Sequence, residues 1–210
     1  MNTDDLFRDS YIAFDLETSG FSPKRDDILQ VGIIDIIEGS ESGEETSFIV
    51  NPNFPNAYEV PRKITELTGL TSLEVSTKGL DPKMVIPMVA ERLHVAYNVT
   101  HNGIAFDKPF FEAACRKYGV LAPWKGYWLD TAVIYKASKT DKLPMLGVYS
   151  TLAEFAVEVR RPIKGLKYNL AYCCWDYGID ISDLSMHRAD SDCVATYRLY
   201  EQMKEDMMGM

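Results

Sequence analysis

Apolar positions along the chain switch between two periods. Tyr11-Ile12-Ala13-Phe14 is a short apolar run that predicts a buried strand. Residues 28–37 form a longer run rich in β-branched side chains and predict a second strand. Residues 38–43 read as a polar turn and residues 46–50 as a third strand, in a meander with the first two. Residues 51–61 carry three prolines and read as a loop. From there helical spacing takes over. Arg62–Thr68 fits a short helix ending at Gly69, and Asp81-Pro82 opens another that continues through 84–93. Residues 95–100 read as a fourth strand, 106–118 as a helix stopped by Gly119, 128–130 as a fifth strand, and 131–137 as a helix. Residues 138–167 are mixed, with Leu152, Phe155, Ala156 and Val159 on one helical face. Residues 168–177 read as a helix before Gly178, and 189–206 as the last helix. Three strands, then helices alternating with two more strands, predict an α/β fold: a mixed five-stranded sheet flanked by helices. With no repeat and no linker, residues 1–210 are expected to form a single domain.

The 210 residues are enough to bury a substantial core, and 46% apolar with 25% charged residues is ordinary for a globular chain. No apolar run reaches membrane-spanning length, and the first ten residues are polar and acidic, so no membrane partner is expected. Cys115, Cys173, Cys174 and Cys193 lack zinc-site spacing; reduced, buried thiols and a cytoplasmic location are the simplest expectation. Net charge is −9, which by itself argues against a nucleic-acid partner. Its distribution changes the picture. Residues 1–60 hold 13 acids and 3 bases, whereas residues 108–170 hold 5 acids and 11 bases.

Three acidic motifs carry the candidate chemistry. In Phe14-Asp15-Leu16-Glu17-Thr18-Ser19-Gly20, alternation along a strand puts Asp15 and Glu17 on one face. Their repulsion would be resolved by a divalent cation such as Mg²⁺, which prefers carboxylate oxygens; two solvated acids at a strand end are the plainer reading. His101-Asn102-Gly103-Ile104-Ala105-Phe106-Asp107 follows a strand and opens a helix, where Asp107 fits either a ligand or a helix cap. His187-Arg188-Ala189-Asp190-Ser191-Asp192 enters the last helix with Asp192 turned inward, and it too fits a capping turn.

Together these motifs resemble the DnaQ-like, or DEDDh, 3′–5′ exonucleases of ribonuclease H-like fold. That family includes proofreading exonucleases of DNA polymerases, oligoribonuclease and RNase T. The resemblance runs from Tyr11 to about Arg198, with Leu129-Asp130-Thr131, Tyr168-Asn169-Leu170 and Tyr177-Gly178-Ile179 as weaker segments between the motifs. It implies that Asp15, Glu17, Asp107 and Asp192 bind two divalent ions, Mg²⁺ or Mn²⁺, and that His187 is the general base. A related subclass has Tyr four residues before the last acid; here that residue is Arg188, so the h-type assignment rests on His187. Asp190 has the wrong spacing and reads as surface or cap. The chemistry suits these residue types. Two ions about 3.5–4 Å apart can serve the attacking water and the departing 3′ oxygen, and an imidazole titrates near neutral pH.

The implied reaction releases nucleoside 5′-monophosphates from 3′ ends, with single-stranded DNA favoured and RNA possible as substrate. The first two motifs and residues 51–69 look closest to polymerase proofreading exonucleases, which also implies a polymerase partner. An exoribonuclease of the oligoribonuclease or RNase T type, and a non-catalytic polymerase-associated subunit, are the alternatives. Leu16, Thr18, Phe21, His101 and Asn102 are candidates to contact the terminal nucleotide. Arg160, Arg161, Lys164 and Lys167 crowd one stretch, which reads as a rim over the strand or as a solvated loop. Trp124, Tyr127, Trp128, Tyr168 and Trp175 read as core or as base-stacking rings.

Overall fold

A computed structural model describes residues 6–122, 127–159 and 163–208, without the side chains of residues 41–45 and 127. Five strands form one mixed sheet in the order β3-β2-β1-β4-β5: β1 Tyr11–Thr18, β2 Ile28–Ile37, β3 Ser40–Ile49, β4 Tyr97–Thr100 and β5 Tyr127–Asp130. The first three are an antiparallel meander, and β4 and β5 add in parallel on the other side of β1. Eight α-helices accompany it: α1 Arg62–Thr68, α2 Ser72–Lys78, α3 Pro82–His94, α4 Asp107–Tyr118, α5 Thr131–Ser138, α6 Leu152–Val159, α7 Leu170–Asp176 and α8 Ala189–Met208. A 3₁₀ turn covers Leu143–Val148.

The predicted sheet is thus present, with three adjustments. β1 continues through the acidic motif to Thr18, so Asp15 and Glu17 lie within the strand. β3 begins at Ser40, because an edge strand needs no apolar run to hold its ladder. The helix α2 has no counterpart in the predicted set. Only Val75 of its seven residues is fully buried, so its sequence carries no amphipathic signal.

Alternation along β1 divides the core. Tyr11 and Ala13 face one side with α5, α6, α7 and α8. Ile12, Phe14 and Leu16 face the other, against α3 and α4. Asp15 and Glu17 therefore share the face covered by α8. A smaller cluster, Leu29, Val60, Ile64, Leu70 and Val75, fixes α1 and α2 beside the end of β2. The four cysteines are buried and unpaired, as expected for reduced thiols, and burial pushes Cys173 up to about 12. Among the described residues, no helix is long and apolar enough to cross a membrane.

Candidate metal centre and active-site cleft

Strand register assembles the acidic site. β1 pairs with β2 so that Asp15 stands opposite Gly32 and Glu17 opposite Gln30. The N-terminus of α8 docks on those two β2 residues. A side chain at Gly32 would put its Cβ only 2.2 Å from the Ala189 carbonyl oxygen, so glycine is required by the close approach of the helix. Gln30 is buried; its Oε1 accepts the Ala189 N–H at 3.3 Å and its Nε2 donates to Ser47 Oγ at 2.8 Å. One turn into α8, Asp192 comes over β1. Carboxylate oxygens of Asp15, Glu17 and Asp192 lie within 4.8 Å of one another.

Asp107 arrives from the opposite layer. The β1–β4 pairing covers only Ile12 and Ala13, which leaves the β4-facing edge of β1 open further along. There Asp107 Oδ1 accepts the Leu16 N–H at 2.9 Å. Phe106 occupies the cap position of α4 and Asp107 is the first helical residue, its carboxylate accepting the Leu16 N–H and its own backbone N–H. The turn before it is held by Asp130, the buried last residue of β5. Its carboxylate accepts N–H groups of Asn102 (2.9 Å), Ile104 (3.0 Å), Ala132 (3.0 Å) and Val133 (3.2 Å). Two of these cap α5, and two fix the 102–104 turn that aims Asp107. In sequence Asp130 looked like a strand-to-helix join; its second duty is tertiary.

The site is electrostatically unfinished. Burial, followed by the charges of Asp107, Asp192, Glu17 and Asp190, pushes Asp15 well above the usual carboxylate range. Burial and the neighbouring acids raise Glu17 to about 8. Asp107 is raised to about 7, mainly by burial. Asp192 is raised to about 6 by burial, against the opposing hydrogen bond from the His187 N–H. Four acids held together against repulsion and desolvation, with three offering close oxygens, form a donor set suited to hard divalent cations. Asp190 sits half-buried in the first turn of α8, where its charge adds to this field.

His187 is exposed at the mouth of the cleft, on a left-handed residue with φ of 65°. Its N–H donates to Asp192 Oδ1 at 3.2 Å, so backbone and ligand are tied while the imidazole is left in solvent. Arg188 turns away to Glu74 on α2, 3.6 Å from its carboxylate. The unpredicted helix thereby braces the loop that carries His187.

A cleft of about 200 Å³ joins these residues to Leu16, Thr18, Phe21, His101 and Asn102, and α1 closes it with Ile64 and Leu67. Phe21 is 82% exposed, beside the Phe106 ring. Leu16 is buried, and Thr18 turns its hydroxyl to the Gly20 carbonyl at 2.6 Å. His101 is in the wall with both ring nitrogens engaged. Burial lowers its pKa to about 4, so the ring is neutral. Its Nε2–H then donates to the Tyr168 carbonyl and its Nδ1 accepts from the Thr131 hydroxyl, each at 2.8 Å. That wiring makes it a brace between β4 and the entry to α7. Arg160, Arg161, Trp124 and the Tyr127 side chain lie outside the described residues. Lys164 and Lys167 are exposed. Trp128 is core, whereas Trp175 is 70% exposed beside Tyr172.

Comparison with known proteins agrees with this geometry. The family model described as Exonuclease (RNase_T) matches residues 12–200. The chain is 29% identical over 208 residues to a DNA polymerase III of PolC type from Clostridium perfringens, covering 97% of this chain and 12% of that protein. It is 34% identical over 115 residues to the 3′–5′ exonuclease DinG of Bacillus subtilis, covering 54% of this chain and 12% of the relative. The chain thus spans about an eighth of the curated relatives it matches. Among solved structures, E. coli exonuclease I in complex with a dA16 oligonucleotide superposes with a TM-score of 0.73 at 19% identity, over 95% of this chain and 41% of that one.

Proposed function

This chain belongs to the DnaQ-like (DEDDh) exonucleases of ribonuclease H-like fold, and from that premise we propose that it removes nucleoside 5′-monophosphates one at a time from the 3′ ends of single-stranded DNA. The observation that carries the reading is the convergence of Asp15, Glu17 and Asp192 oxygens within 4.8 Å, with Asp107 beside them, at the floor of a cleft. Asp15, Glu17, Asp107 and Asp192 would hold two Mg²⁺ ions. When bound, these ions supply charge for the scissile phosphate and lower the pKa of a water. His187, free in solvent at the cleft mouth, accepts the proton of the attacking water. Phe21 and Leu67 offer apolar surface to the terminal base, with Leu16 buried beneath them, and Asn102 offers a polar group in the same cleft. His101 acts by holding the wall. Lys164 and Lys167, with Arg160 and Arg161, meet phosphates further up the strand.

DNA is favoured over RNA because the relatives named above include DNA polymerases and the structural relative is bound to a DNA oligonucleotide. The same relatives support a polymerase as partner. A cytoplasmic location accords with four buried, unpaired cysteines. The test is digestion of end-labelled single-stranded DNA, duplex DNA and short RNA in parallel, with Mg²⁺ and with chelator. The parent should release 5′-monophosphates from single-stranded DNA only when Mg²⁺ is present. Asp15→Asn should lose turnover while keeping its circular dichroism spectrum. Full activity in chelator, or in Asp15→Asn, would sink the metal reading. Faster digestion of short RNA than of DNA would favour the oligoribonuclease type instead.

A further inference from the structure

A second hollow lies outside the catalytic cleft and is larger than it. A groove of about 560 Å³ lies on the far side of the β1–β2 connection, between residues 23–28, Pro52, the start of α3 and the outer face of α4. It adjoins the catalytic cleft: Thr18 of the cleft pairs with Ile28 of the groove, and the Phe106 and Phe110 rings touch across the divide at 4.8 Å.

We propose that this groove docks an acidic peptide segment of a partner protein, seated by apolar side chains on its floor and by carboxylates on its rim. The rim carries Lys24, Arg25, Arg116 and Lys117. Lys117 is occupied by Asp27 at 2.8 Å, and Asp27 also accepts the Tyr58 hydroxyl at 3.2 Å. The other acid of the lining, Asp26, turns inward to accept the Ser22 N–H at 2.7 Å. Lys24, Arg25 and Arg116 are exposed, and none has an ion-pair partner among the described residues. With four cations against Asp26 and Asp27, the lining carries a net charge of +2 on a chain of net charge −9. An acidic segment is attracted here and repelled over most of the remaining surface, which gives the contact its specificity.

The floor decides between a peptide and a nucleic-acid strand. It is built from Pro52, Pro82, Ile86, Ala113 and Ala114, with the Phe110 ring 98% buried beneath them. Tyr118 is half-buried under the Lys117 ammonium, 5.3 Å from its ring centre. Of the two rings in the lining, Phe110 is buried and Tyr118 is half-buried beside the Lys117 ammonium, so the groove offers little ring surface, and stacking is what single-strand grooves add to phosphate contacts. Small and aliphatic residues instead suit leucine, isoleucine or phenylalanine side chains of a partner.

The experiment is fluorescence anisotropy on the full chain. The probe is a labelled ten-residue peptide alternating Asp and Glu with Leu and Phe; its control has the acids replaced by Asn and Gln. The acidic peptide should bind saturably, at least tenfold tighter than the control, and should weaken as salt rises. Lys24→Glu combined with Arg116→Glu should lower its affinity at least tenfold. Ala113→Trp, which fills the floor without changing charge, should weaken it as well. Both variants should keep the parental Tm and the parental rate on a dinucleotide. Absence of saturable binding overturns the proposal, as does binding that ignores both variants. Displacement of the peptide by an oligonucleotide, together with a flatter salt slope for oligonucleotide binding in the charge-reversed variant, would assign the groove to the substrate strand.

Discussion

Replacing Gln30 by Leu separates the placement of the site from its chemistry. Gln30 touches neither metal nor substrate, yet it holds the N-terminus of the helix that brings in Asp192. Leucine has nearly the same volume, so packing is largely kept. The change leaves the buried Ala189 N–H without an acceptor, at about 1–3 kcal/mol, and loses the Ser47 hydrogen bond, at about 0.5–1.5 kcal/mol. The Ala189 contact is long at 3.3 Å, which places the sum near ~2 kcal/mol. For a chain of this length that corresponds to a Tm lower by about 4–8 °C, well short of unfolding at assay temperature. The catalytic loss should be larger than the stability loss suggests. A shift of roughly 1 Å in a reacting group can cost about 100-fold in rate. We expect kcat on single-stranded DNA to fall at least about tenfold, KM to change little, and the Mg²⁺ concentration for half-maximal rate to rise. Gln30→Glu keeps the acceptor for the Ala189 N–H but buries a further carboxylate opposite Glu17 and gives up the donor to Ser47, so it should recover the losses only in part, and more in Mg²⁺ than in chelator. Thermal melts, a Mg²⁺ titration and initial rates on the three proteins suffice. If Gln30→Leu melts early but keeps the parental kcat and Mg²⁺ response, the residue serves the fold alone.

Metal-free protein should lose stability as pH rises. Glu17, Asp107 and Asp192 have folded pKa values raised to about 8, 7 and 6, so between about pH 4 and 8 the unfolded chain gives up protons that the folded one keeps. Tm in chelator should fall across that window and Mg²⁺ should flatten the curve; a Tm in chelator that rises through it contradicts the assigned electrostatics. His187→Ala should lower kcat far more than affinity, and near-parental kcat would leave His187 as a loop residue only. Replacing Arg160, Arg161, Lys164 and Lys167 pairwise by Ala should flatten the slope of log affinity against log salt by roughly 0.7 per lost phosphate contact on a long oligonucleotide, and leave dinucleotide hydrolysis unchanged. Equal slopes would make the stretch a solvated loop.

The acidic motifs were legible because each has a local spacing that a strand or helix turns into direction. The two acids of β1 needed only the two-residue alternation of a strand. What joined Asp107 and Asp192 to them was the family pattern, because no local rule brings residues so distant into one cleft. Residues that act by holding others were harder to see. Asp130 reads as an ordinary helix cap, and half of its hydrogen bonds go to a turn nearly thirty positions earlier. His101 reads as a ligand for substrate, whereas its nitrogens are spent inside the wall. Gln30 did leave a trace: an amide in the apolar first half of a strand that the structure buries. The apolar groove beside α4 left none, since its floor is assembled from prolines, alanines and an isoleucine contributed by three separate segments.

The four acids of the candidate centre come from widely separated stretches, and Asp192 rides on the helix that also closes the core over β1 and β2. During synthesis, a ribosome that has released the first two strands has produced Asp15 and Glu17 but not the carboxylate that completes them. Until α8 emerges and seats on Gly32, the nascent chain has neither a finished centre nor a His187 to serve it. An enzyme of this construction stays silent until α8 is seated, because the acid that completes the candidate centre arrives with that helix. The same arrangement makes damage legible to the cell: any lesion that unseats α8 disarms the enzyme and exposes its core at once, so partly folded molecules are inert and open to proteolysis.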